Sequence, residues 1–469
     1  MTPTLSKSLE EIAGLLRSGC VTAAELAETH LEALARIDSS LNAVARLEPE
    51  SAMERAARLD DAIAAGAEIG PLTAAPLAHK DLYGRKGWLQ EAGAKILSGE
   101  RAKATATTCA ALDRAGAMDL GRLNTVEFAL GSEGRNVHTG PVRNPWNPAY
   151  VPGGSSSGSA AAVAAGAVPA ALGSDTGGSI RLPAAACGLV GLKPTAGLVG
   201  RSGIFPLSGS LDTAGPLCQT VRDAAILLGA LAGHDPADPQ SVHLPRVDYL
   251  AEIEDGLRGL RIGIARQHFF DPIATEIGAA LETAIAAIGE EGARVSDTVL
   301  PGIAAANRLT TLIINVEAST QHRPWLAARA TDYGPETLER MMAGLFIPAQ
   351  AYLAALMERQ RLLAAVMEAA FADNDAILTP VWISELSEIE EPQHGNFGRR
   401  IEDTGHCTRA FNFLGLPAVV LPCGISAKGL PIALQLVSRP YAEALLLRAA
   451  RGIERALAFA ETYRPGVVA

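Results

Sequence analysis

The run "GGSSSGSAAAVAAGAVPAALGSDTGGSIRLPAAACGLVGLKPT" at 153–195 constrains the fold of this chain more than any other stretch. Glycine, alanine and serine dominate it, so the backbone elements it forms can approach their neighbours closely. Glycine pairs stand directly before serines at two places, Gly153–Gly154 and Gly177–Gly178. The first pair and Ser155, Ser156 and Ser157 read as a turn entering a helix of small residues. "VPAALGSD" then reads as a strand, and "TGGSIR" as a tight turn behind it. Turns of this kind gather unpaired backbone N–H groups and favour negative charge.

The rest of the chain alternates in the same way. "PLAHKDL", "AMDLGRLN", "LRIGIA", "DAILTPV", "PAVVLPCG" and "PIALQLV" read as strands. "TTCAALDRAGA", "TVRDAAILLGALAG" and "AEALLLRAARGIERALAF" read as helices, with others near 274–290, 303–330 and 350–372. Strands interleaved with helices predict an α/β protein, with a large mixed twisted sheet covered by helices on both faces. The first 70 residues read as a helical flank. Ser8 with Glu11 and Thr22 with Glu25 each match a capping box. No linker or repeat divides the chain, so residues 1–469 are expected to form one domain: flank 1–70, core 71–225 and remainder 226–469. The polar stretch 383–402 predicts a surface loop.

With 48% hydrophobic residues and 19% charged ones, the chain has ample material for a core. The formal charge of −11, without a basic run, argues against a nucleic-acid partner. The N-terminus lacks a signal-peptide core, and the longest low-charge stretch is broken by Gly166 and Pro169. A cytoplasmic protein without a membrane partner is expected. The six cysteines are scattered with no C-x-x-C pair, which predicts reduced thiols and no zinc site. No P-loop and no H-E-x-x-H occurs, so neither cofactor nor metal is expected.

The chemistry concentrates on the second glycine pair. The backbone N–H groups of Thr176, Gly177, Gly178 and Ser179 can converge on one spot, as an oxyanion hole requires. Asp175 and Arg181 flank that turn and can pair to hold it rigid. If Ser179 is a nucleophile it needs a base, and the "HKD" at 79–81 offers two: His79, or a Lys80 made neutral by burial. Spacing alone does not choose between them. "GSSSG" at 154–158 matches G-x-S-x-G around Ser156, but "NPAYVP" precedes it where a nucleophile elbow has a hydrophobic strand.

Together these segments resemble the amidase signature family, over about 71–225 and more weakly over 375–440 at "DAILTP" and "FNFLGLPAVVLPCG". The resemblance implies a Ser–cis-Ser–Lys triad. Ser179 matches the nucleophile, Ser155 the serine at a cis peptide bond and Lys80 the lysine, with Ser156, Asp175 and Arg181 in support. It moves His79 to a supporting or substrate-facing place at best. The implied activity is hydrolysis of a small linear carboxamide to a carboxylate and ammonia or an amine through an acyl-enzyme, with a homodimer as the family-level assembly. A second implication is the glutamine-hydrolysing component of a tRNA-dependent amidotransferase. Those components carry an aspartate seven residues before the Asn of N-x-x-G-L-P, and here that register falls on Gly405, with Asp403 out of step. A third is a binding protein that has kept the fold without catalysis, which the three filled triad positions oppose. The acyl pocket is expected near the 303–330 helix and the 380–406 loop, with Trp382, His394, Phe397, Arg399 and His406 as candidate lining.

Overall fold

The computed structural model describes residues 4–390, 404–466 and 468. The expected loop lies largely outside these residues, and with it His394, Phe397, Arg399 and Asp403.

Among the described residues, eleven strands join in one sheet. They are β1 (Val44–Leu47), β2 (Pro76–Lys80), β3 (Met118–Leu123), β4 (Ala170–Asp175), β5 (Val190–Lys193) and β6 (Thr213–Cys218). The remainder are β7 (Arg261–Ile264), β8 (Arg294–Asp297), β9 (Ala376–Pro380), β10 (Ala418–Ile425) and β11 (Pro431–Ser438). Their order is β1-β3-β2-β4-β6-β5-β10-β11-β9-β7-β8. β2 runs parallel to both β3 and β4, whereas β4 pairs antiparallel with β6. The sheet is therefore mixed, as expected.

Both faces are covered because the strand pleat feeds alternate residues to opposite sides. In β9 and β11, Leu378 and Leu436 sit opposite each other and enter one apolar core. Their neighbours Ile377 and Val437 enter a second core. The helices Ser157–Ala164 and Glu443–Leu457 pack on the first side, and Ile303–Arg329 and Arg409–Phe413 on the second.

The predicted capping boxes are both present: Ser8 Oγ accepts from Glu11 N, and Thr22 Oγ1 from Glu25 N. The flank is not wholly helical, however, because β1 adds an edge strand against β3. Among the described residues other elements too are not foreseen from sequence pattern, including the short helices Arg181–Ala186 and Arg409–Phe413. β5 is four residues long, β6 contains Gly and Pro, and β8 is mostly exposed without alternation. The helix Pro335–Leu345 sits in a stretch where only its neighbours are expected to be helical. No single helix among the described residues is long and apolar enough to cross a membrane.

Candidate active site

Lys80 is the last residue of β2 and is fully buried. Strand pleating sends it and His79 to opposite sides of the sheet. Lys80 Nζ donates to Ser155 Oγ at 2.7 Å and to Ser174 Oγ at 2.9 Å. Burial pushes its pKa down to about 7, against smaller opposing pulls from Asp212 and Asp175. Near neutral pH a large fraction of this amine is proton-free and basic.

The same geometry sets His79 apart from Lys80. Its Nδ1 accepts from Leu172 N at 3.3 Å, and its ring tilts against Tyr83. Burial first, and then the charges of the Asp119–Arg122 group, leave its pKa lowered to about 4. It lies across the sheet from Lys80 and bonds to the backbone of β4. Its neighbours Cys109 and Asp119 bring three ligand-type atoms within 4.8 Å. Asp119 is already held by Arg122 at 2.9 Å and by Arg85 at 2.9 Å, which accounts for its carboxylate without a metal.

The peptide between Gly154 and Ser155 is cis. Ser155 is buried, and its carbonyl accepts from Thr125 Oγ1 at 2.9 Å. Ser156 stitches two segments together. Its N–H donates to Ser179 O at 3.2 Å, and its hydroxyl accepts from Ser174 N at 3.3 Å. The small-residue run thus brings the serine turn, the end of β4 and the Ser179 turn to one place. Ser179 itself is 8% exposed.

Asp175 is the post around which the turn is built. Arg181 binds it through two parallel contacts of 2.9 Å. The Asp175 carboxylate also accepts from Gly178 N at 2.8 Å and Ile180 N at 3.2 Å. Burial would raise its pKa, but the Arg181 guanidinium and these hydrogen bonds overrule that and hold it well below the usual carboxylate range. One expectation changes as a result: the Gly178 N–H already has the Asp175 carboxylate as its acceptor. Gly178 has φ +131°, and a Cβ there would lie 2.4 Å from Thr408 Oγ1, so glycine is required for the turn's shape.

Four further residues belong to this assembly and are not singled out by sequence. Ser174 is the second acceptor for Lys80. Asp212 accepts from Thr176 Oγ1 at 2.5 Å. Gln435 Oε1 accepts from Arg181 Nη1 at 2.7 Å, and Thr408 Oγ1 donates to Gly177 O at 2.6 Å. Gln435 leaves a trace in the sequence, as the lone polar residue in the apolar run "PIALQLV". Asn412, visible in sequence only as part of a weak motif, donates to the Asp175 carboxylate at 2.8 Å and accepts from Arg181.

The helix Ile303–Arg329 reaches the Ser179 turn, with Ile314 Cδ1 3.6 Å from where a Gly177 Cβ would stand. Trp382 does not; it lines a separate hollow with Ile277, Leu430 and Ile432. His406 stacks on His268 at 3.9 Å between ring centres. A cavity of about 240 Å³ opens beside Ser174 and Asp212, walled by Leu82, Phe205 and Pro206.

The family model for Amidase matches residues 25–447. The chain is 38% identical to the A-type component of the glutamyl-tRNA(Gln) amidotransferase of Chloroflexus aurantiacus, over 97% of each chain. Among solved structures it superposes with a TM-score of 0.90 and 32% identity on a protein of a vestigial complex tied to the origins of an s-triazine catabolic enzyme. That match covers 99% of this chain and 100% of the other. The peptide amidase of Stenotrophomonas maltophilia superposes with a TM-score of 0.86 and 30% identity, over 99% of each chain.

Proposed function

The chain belongs to the amidase signature family, and on that premise we propose that it cleaves the C–N bond of a carboxamide through Ser179. The observation that carries this reading is the 2.7 Å contact between Lys80 Nζ and Ser155 Oγ, made by a lysine whose pKa burial has brought to about 7. Lys80 accepts a proton through the Ser155 hydroxyl as Ser179 Oγ attacks the amide carbonyl. The turn amides of Thr176, Gly177 and Ser179 face the developing oxyanion, with Gly178 holding Asp175. Collapse breaks the C–N bond, and the proton returns through Ser155 to the departing nitrogen. Water, activated by the same relay, then adds to the acyl-enzyme and releases the carboxylate and Ser179.

Two readings share this chemistry. In the first, the chain is a stand-alone amidase acting on a linear amide. In the second, it is the glutamine-hydrolysing component of an amidotransferase that works with partner proteins. The sequence relatives weigh toward the second, since those from Chloroflexus and Neisseria alike are named as amidotransferase components. One feature favours the first: the family resemblance implies an aspartate at 405 in those components, and this chain has Gly405 there, with the Arg409 side chain against it. A cytoplasmic setting fits six cysteines without a disulfide.

The test is ammonia release by the purified chain from a panel of carboxamides, glutamine included, without ATP or a second protein. Turnover of a simple amide supports the stand-alone reading. Silence that ends when a co-purified partner protein is added, with glutamine as the amide consumed, supports the other.

A further inference from the structure

Resting on the stand-alone amidase reading, we propose that the cavity of about 240 Å³ beside Ser174 receives the amine half of the substrate, and that the amide cleaved is a secondary one whose nitrogen carries a neutral, apolar group. The cavity is joined to the proton relay. Ser174 lines it and accepts from Lys80 Nζ at 2.9 Å, and the same Nζ donates to Ser155 Oγ at 2.7 Å. In the proposed mechanism the departing nitrogen takes its proton from the Ser155 hydroxyl, which sets it on the side of the nucleophile where Lys80 and Ser174 lie. Ser174 is 6% exposed, whereas Pro206, Gly209, Ala237 and Pro239, which also line the cavity, are exposed. The space therefore runs from solvent inward to the hydroxyl that Lys80 holds. An amine released into it leaves while the acyl group is still on Ser179, and water enters by the same way.

The walls decide the class of amine. Leu82, Ile204, Phe205, Pro206 and Leu207 supply the apolar surface. Leu82 follows Lys80 by two residues, and its carbonyl accepts from Phe205 N at 2.8 Å, which ties this wall to the lysine strand. The Phe205 ring is held by Phe128 and Trp325, with ring centres 5.6 and 6.4 Å away. The charged side chains of the lining are engaged within the protein. Arg201 grips Asp238 through contacts of 2.7 and 2.8 Å and donates to Gly209 O at 2.9 Å. The Asp212 carboxylate accepts from Leu207 N at 2.8 Å, from Ser208 N at 3.0 Å and from Thr176 Oγ1. What the cavity offers a ligand is thus one polar spot at Ser174 and an apolar sleeve leading outward. A substituted nitrogen with a hydrocarbon group matches that arrangement, with its polar end inward. The volume lies below the ~300 Å³ at which sites for drug-sized ligands begin, so it suits one ring or a short alkyl chain.

The experiment measures kcat/KM of the full chain on acetyl, butyryl and benzoyl amides, each as the primary, N-methyl, N-butyl and N-benzyl amide. For the acyl group turned over best, the N-butyl or N-benzyl amide should exceed the N-methyl amide at least tenfold, the scale on which a few buried methylenes discriminate. Gly209→Trp narrows the cavity at a position where a Cβ meets no atom within 4 Å, so the fold accommodates it. It should erase that preference, while the ranking of the three acyl groups among primary amides stays as it was. Equal or better turnover of the N-methyl amides by the unaltered chain, a measurement that needs no variant, overturns the cavity's role and leaves the amidase reading intact. A Gly209→Trp chain whose acyl ranking changes instead places the acyl group in the cavity and also overturns the proposal. Silence of every amide from a chain whose Ser179 still takes up a fluorophosphonate overturns it too, with the nucleophile left standing. Silence together with an unreactive Ser179 overturns the amidase reading itself, and the proposal with it.

Discussion

Lys80 Nζ lies 2.7 Å from Ser155 Oγ, so the buried amine and the hydroxyl beside the cis peptide form one hydrogen-bonded pair. In the proposed mechanism that pair makes Lys80 the proton acceptor. Lys80→Ala should lower kcat by roughly 10²–10⁴-fold, the usual contribution of a positioned general base. The check is steady-state kinetics on whichever amide the panel identifies, with circular dichroism to verify folding.

The pH dependence follows from the same residue. Lys80 accepts a proton only when neutral, and its pKa is lowered from 10.5 to about 7. Activity should therefore rise with pH, with the ascending limb of kcat/KM centred near pH 7. The stability contribution has the matching sign. Below pH 7 both folded and unfolded chains hold the proton, and the cost of burying the charge is complete. Between about 7 and 10.5 only the unfolded chain holds it, so that cost fades as pH rises. Lys193 is lowered by burial to about 7 as well and moves the same way. The kinetic limb, unlike the stability curve, isolates Lys80.

His79 and Lys80 are adjacent in sequence and separated by the sheet, which gives a direct contrast. His79→Leu should cost stability, on the order of 1–3 kcal/mol for a buried polar group whose partner is left unpaired. It should leave the midpoint of the ascending limb where it was. A pH–rate profile alongside a urea melt reads both effects.

Ser174 makes the second hydrogen bond to Lys80, at 2.9 Å. Ser174→Ala removes an acceptor that favours the charged amine, so the ascending limb should move to lower pH. The accompanying fall in kcat should be smaller than in Lys80→Ala. A limb that stays in place would deny Ser174 this influence.

Asp175 and Arg181 are both fully buried, and each is the other's charge partner. Asp175→Asn leaves Arg181 without its carboxylate. Breaking a buried pair from one side costs about 3–5 kcal/mol. Thermal unfolding should show a large loss, and activity should fall because the Ser179 turn loses its post.

Much of this site is legible in sequence because it sits on a contiguous stretch. Ser155, Asp175, Ser179 and Arg181 lie within one small-residue run whose glycines mark the turns. Spacing leaves Lys80 as one of two neighbours; the family resemblance picks it out, and the strand pleat shows the physical reason by turning His79 to the other side. Asn412 and Gln435 reach Asp175 and Arg181 from more than two hundred positions away. No local pattern carries such contacts, since they arise only when β11 and the helix before β10 pack against the turn. The missed strands have a similar explanation. β5 and β6 are short and interrupted by Gly and Pro, and pairing with β4 and β10, not propensity, makes them strands.

The most direct test of the central claim is the intact mass of the chain after a fluorophosphonate probe, followed by peptide mapping. A single adduct on Ser179 that disappears in Lys80→Ala is the predicted result. An adduct on Ser156, or labelling of Ser179 that persists undiminished in well-folded Lys80→Ala, would contradict it.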